Sequence, residues 1–132
     1  MADGIFERGE IYAVRMDNGV GSEEGMFRPG VIISSNKGNL SSPTVTVCYL
    51  TTKFRRVAGF SLETMATGLR SWILITQIVT VDKTRIGKWM GVLGENELAE
   101  VGKKLKETLE RFSYASGEEL KNLSKVAMEV ME

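Results

Sequence analysis

The hydrophobic period of this chain changes once, near Gly94. Before that point the apolar residues come in short runs: EIYAVRM, GVIISS, TVTVCYLTT, SWILITQIVTVD and KWMGVL. From Glu95 onward they recur as Leu98, Val101, Leu105, Leu109 and Phe112, three or four apart, with charges between them. Alternation belongs to strands and three-to-four spacing to one face of a helix. Four to seven strands followed by helices is the order of an α+β domain. It predicts a small antiparallel or mixed sheet, curled on itself to limit exposed edges, with a helix packed against it. A chain of 132 residues is long enough for one such domain with its own core.

Taken in order, Glu10 to Met16 reads as a half-buried strand. Asp17 to Phe27 holds three glycines and reads as a loop, long for a hairpin. Pro29 opens the next strand, where a missing N–H costs least. Asn36-Lys37-Gly38-Asn39 has the chemistry of a turn. Thr44 to Thr52 is the most β-prone stretch. The segment FSLETMAT, bracketed by Gly59 and Gly68, suits either a short strand or one helical turn. Ser71 to Asp82 is a long strand with Ile and Val on both parities. Gln77 falls inside it, where a buried amide needs partners and an outward one does not. Lys88 to Leu93 suits a short last strand. A helix then runs from Glu95 to about Ser113, capped by Gly94 or Asn96. Ser116 with Glu119 forms a capping-box pattern for a second amphipathic helix in 114–132.

Chemistry is narrowed by what the sequence omits. It contains no histidine, so the commonest general base and the commonest metal ligand are both missing. Its one cysteine, Cys48, lies in an apolar run and reads as a buried small hydrophobe. No run reaches the ~18 apolar residues of a membrane span, and MADGIFERGE is not a secretory signal, so the expected compartment is the cytoplasm. Net charge is zero, yet residues 1–94 carry 11 Lys and Arg against 8 Asp and Glu, while residues 95–132 carry 6 against 9. A mildly basic body with an acidic end permits nucleic-acid binding without requiring it.

The stretch GSEEGMFRPGVIIS, Gly21 to Ser34, delivers Arg28 from a polar loop to the mouth of a strand. Arginine offers a planar, permanently charged fork of donors suited to phosphate. A surface arginine paired with Glu23 or Glu24 is the plain structural alternative.

The blocks RGEIYAVRM, GSEEGMFRPGVIIS, GNLSSPTVTVCYLTTK and ITQIVTVDKTRIGK, in this order, resemble the MazF/PemK toxins of bacterial toxin–antitoxin systems. The resemblance runs from Arg8 to about Phe112. It implies a small SH3-like antiparallel β-barrel domain over 1–113, dimeric, with 114–132 as an additional C-terminal helix. It implies an endoribonuclease that cleaves single-stranded RNA without metal or other cofactor and is held by a cognate antitoxin. On this resemblance the catalytic residues are Arg28 and Thr51. Gly21, Ser22 and Glu23 belong to a loop that closes over RNA, and Lys53 and Gln77 lie at the substrate groove. Thr51 would bond the phosphate or orient the 2′-hydroxyl, and Glu23 would serve as base or as ion-pair partner of Arg28. The chain departs from the family in lacking a histidine between the third strand and the ITQI block. It also extends beyond the usual end. A CcdB-like gyrase-binding toxin and an inactive RNA- or partner-binding module are the competing readings.

Overall fold

The structure, a computed structural model, describes residues 5–16, 26–53 and 61–113, with side chains to 110. The elements are β1 (Glu10–Arg15), β2 (Phe27–Ile32), α1 (Asn36–Ser41), β3 (Thr44–Thr51), β4 (Ser61–Thr64), β5 (Ser71–Asp82), β6 (Ile86–Val92) and α2 (Glu95–Ser113). A single 3-10 turn, Lys83–Arg85, joins β5 to β6. The six strands form one sheet in the order β4-β5-β3-β2-β1-β6, and every pair is antiparallel.

The ladder does not close into a ring: β4 and β6 are its edges. The edges nevertheless meet. A Cβ on Gly91 of β6 would collide with the carbonyl oxygen of Ala66, just beyond β4, and would lie 3.5 Å from the Cα of Thr67. Only a residue without a side chain permits that approach. The expected barrel is therefore curled edge to edge, but not hydrogen-bonded around its circumference.

Alternation along the strands sends side chains to two cores. Ile11, Val31, Cys48, Leu50, Ile73 and Ile75 pack with Leu93 and with Val101 and Leu105 of α2. Tyr12, Val14, Ile32, Val45, Val47, Tyr49 and Val81 form a second core with Phe6. Strand β5 serves both, because its pairing with β3 is irregular. Cys48 faces Ile78 while Leu50 faces Ile73, so two steps on β3 match five on β5. Odd-numbered residues face the first core before Thr76 and the second core after Gln77. This bulge explains the apolar residues on both parities, which a regular strand cannot place.

Helix α2 starts where expected, and of the two candidate caps Gly94 serves. Its carbonyl accepts from the Leu98 N–H at 2.9 Å, and its own N–H donates to Glu97 Oε1 at 3.0 Å. The other carboxylate oxygen of Glu97 accepts from the hydroxyl of buried Thr64, tying the helix start to edge strand β4.

Asn36 to Asn39 is a helix rather than a turn. Ser35 caps it, its Oγ accepting from the Gly38 N–H at 3.0 Å. The Asn39 side chain is fully buried, donating to the carbonyls of Phe6 and Ser34 at 3.1 and 3.2 Å. The open segment around Ser61 resolves as strand β4. Of the loop expected over 17–27, residues 17–25 lie outside the described residues and Phe27 already belongs to β2. The second helix expected in 114–132 also lies outside the described residues. Among the described residues, no helix is long and apolar enough to cross a membrane.

Candidate active site

Strand β2 begins earlier than Pro29, so Arg28 is its second residue and pairs with Val14 of β1. On the other side, Gly30 pairs with Tyr49, Val31 with Cys48 and Ile32 with Val47. Carried two residues further, the same register sets Arg28 across from Thr51. Cross-strand neighbours share a face, with Cα atoms about 4.5–5.5 Å apart. Thr51 in turn pairs with Trp72 of β5, and Trp72 pairs with Glu63 of β4. One row therefore crosses four strands with Arg28, Thr51, Trp72 and Glu63 on a common face.

Each member has a defined local environment. The guanidinium carbon of Arg28 lies 4.9 Å from the centre of the Tyr49 ring, and its Nη1 donates to Gln77 Oε1 at 3.4 Å. Gln77 is exposed and sits in the bulge of β5, mid-strand rather than at a strand end. The bulge turns its amide toward Arg28, two strands away. The Thr51 hydroxyl oxygen accepts from the backbone N–H of Lys53 at 3.1 Å. That bond uses one lone pair and leaves the hydroxyl proton and a second lone pair for a ligand. Arg70 stacks over Trp72 at 5.1 Å and pairs with Glu63 through its Nε.

Of the residues expected from the sequence, Arg28 and Gln77 are thus joined by a hydrogen bond, Thr51 follows Tyr49 on the same face of β3, and Lys53 is exposed immediately after β3. Gly21, Ser22 and Glu23 lie outside the described residues. Tyr49 and Trp72 were missed. Tyr49 was hidden in an apolar run, although its spacing of two from Thr51 already put it on that residue's face. Among the described residues, no group of three or more His, Cys, Asp or Glu is placed to hold a metal ion.

This curled sheet with a C-terminal helix is the architecture of solved MazF toxins. MazF from Deinococcus radiodurans superposes with a TM-score of 0.67 at 22% identity, covering 81% of this chain and 98% of that one. MazF in a MazE–MazF complex from the same organism gives 0.69 at 21% identity, covering 81% and 97%. The family model described as a PemK-like, MazF-like toxin of type II toxin–antitoxin systems matches residues 7–109. The endoribonuclease MazF of Staphylococcus epidermidis is 35% identical over 102 residues, 74% of this chain and 85% of its own length. That of Staphylococcus saprophyticus is 33% identical over the same extent. The chain belongs to the PemK-like, MazF-like toxin family.

Proposed function

We propose that this chain is the toxin of a type II toxin–antitoxin pair, a cytoplasmic endoribonuclease that cuts single-stranded RNA without a metal. The observation that carries the reading is Arg28 lying over Tyr49 and bonded to Gln77, and the β2–β3 register, extended two residues past Gly30–Tyr49, supports Thr51 as its neighbour. The ribose 2′-hydroxyl attacks the adjacent phosphorus, the P–O5′ bond breaks, and a 2′,3′-cyclic phosphate and a 5′-hydroxyl result. Arg28 stabilises the charge that builds on the phosphoryl oxygens, and Thr51 bonds the phosphate or orients the nucleophile.

Arginine stays protonated, so the 2′-hydroxyl proton goes to another group. Glu23 is either that base or an ion-pair partner of Arg28. A Glu23→Gln variant separates the two: loss of the base removes the rising acid limb of the pH–rate profile, whereas loss of the pair lowers the rate at every pH. Gly21 and Ser22 close over the substrate, and Lys53 and Gln77 contact it beside the row.

The relatives named above are endoribonucleases, and solved MazF chains have been crystallised with MazE. A cognate antitoxin that folds on binding and covers the RNA groove follows for this chain as well. The domain over 1–113 forms a homodimer, and the amphipathic segment 114–132 adds to the dimer contact or borders the antitoxin site.

The test is direct. The purified chain is incubated with a long mixed-sequence RNA in EDTA, and the ends are mapped. Cleavage leaving cyclic phosphates is expected. Arg28→Ala is expected to lower the rate by at least ~10²–10³ while the circular dichroism melt stays cooperative. Undiminished cleavage by a folded Arg28→Ala chain would sink the mechanism.

A further inference from the structure

Arg28 is half-buried on an interior strand of the sheet. Among the described residues no carboxylate pairs with it. Its guanidinium lies instead over the ring of Tyr49, 4.9 Å from the centroid, and Tyr49 is itself only 5% exposed. The body of that tyrosine is locked in the second core with Tyr12, Val45 and Val47. Opposite Tyr49 stands Gly30, where any Cβ would press to 3.1 Å on Val14 and 3.2 Å on Val47. The ring is therefore a fixed platform at the end of the core.

The choice of an aromatic face has a chemical consequence. A carboxylate would occupy two of the five guanidinium donors and offset the positive charge. A π face attracts the cation through its flat side and consumes no donor. Among the described residues only Nη1 is engaged, by the neutral amide of Gln77 at 3.4 Å, a long bond. Neither contact uses a second donor or offsets the charge.

We propose that Tyr49 is a positioning residue for Arg28: its ring holds the guanidinium at the end of the core without taking any donor that the scissile phosphate needs. This rests on the reading of Arg28 as the phosphate-stabilising group. Tyr49 touches no reacting atom and acts through Arg28 alone. The interaction belongs to the ring, not to the phenol oxygen.

The experiment compares the unaltered chain with Tyr49→Phe and Tyr49→Leu. Ring currents shift the Arg28 Hδ and Hε resonances upfield in the unaltered chain, with assignment by their loss in Arg28→Lys. The shift is expected to persist in Tyr49→Phe and to vanish in Tyr49→Leu. On an RNA substrate, kcat for Tyr49→Phe is expected within about twofold of the parent. For Tyr49→Leu it is expected to fall about tenfold, with a smaller change in KM, as a modestly desolvated cation–π contact implies. Rescue by Phe shows that the ring and not the phenol oxygen is needed, and the ring-current shift of Arg28 is the readout that a purely volume-filling role would not give. Unshifted Arg28 resonances in the unaltered chain would overturn the proposal even if Tyr49→Leu did not fold. So would equal kcat in the parent and a folded Tyr49→Leu chain. Absence of RNA cleavage by the parent is a different result, and it would overturn the ribonuclease reading instead.

Discussion

Cys48 shows how much a single buried side chain constrains the chain's chemistry. It is fully buried in the first core, and burial pushes its thiol from 9.0 up to about 12. Burial also raises Tyr12, as does its hydroxyl's bond to Glu10. Both groups fold in their neutral forms. The stability they protect is complete below the unfolded values, 9.0 and 10.0, and is lost as pH climbs through the folded ones. Urea midpoints are therefore expected to fall steadily above about pH 9, and Cys48→Val is expected to flatten that decline. An unchanged slope in the valine variant would assign the loss to Tyr12 alone. The reading of Cys48 as an inert small hydrophobe was available from the sequence, because VTVCYL offers it no charged neighbour. The role of Tyr49, one residue further on, was not. Its partner Arg28 is 21 positions away in the chain, and only the register of β2 on β3 brings them together.

Elements were legible where local pattern and tertiary demand agree. Strand β5 has the expected bounds because its β-branched run suits no other state. Helix α2 has the expected bounds because its period and its Gly94 cap point the same way. Helix α1 was not legible. Its sequence reads as a turn, and it is a helix because Ser35 caps it and Asn39 reaches the distant Phe6 carbonyl. The internal reset of β5 was equally invisible, since alternation alone cannot say which residue is the extra one. Glu97 makes the junction of α2 and β4 testable. Glu97→Ala removes the bond to the Gly94 N–H and leaves the hydroxyl proton of Thr64, which is 3% exposed, without its acceptor. A loss of about 1–3 kcal/mol in chemical unfolding is expected. A loss below ~0.5 kcal/mol would mean that the helix start needs neither bond.

For the molecule as a whole, the sequence disclosed the α+β class and the barrel-like curl, because short blocks carry those signals. It left the chain's end open. Removing residues 114–132 is expected to leave RNA cleavage in place and to shift the monomer–dimer balance toward monomer in analytical ultracentrifugation. Unchanged dimer mass together with unchanged antitoxin affinity would deprive that segment of both proposed roles. The meeting of Gly91 with Ala66 carries a further consequence. Two strand margins that would otherwise be open to any passing chain are turned toward each other, and one absent methyl allows it. Gly91→Val is expected to pry the seam apart and produce concentration-dependent light scattering from protein that retains its far-ultraviolet dichroism. In this chain the safeguard against self-templating stacks is a hydrogen atom.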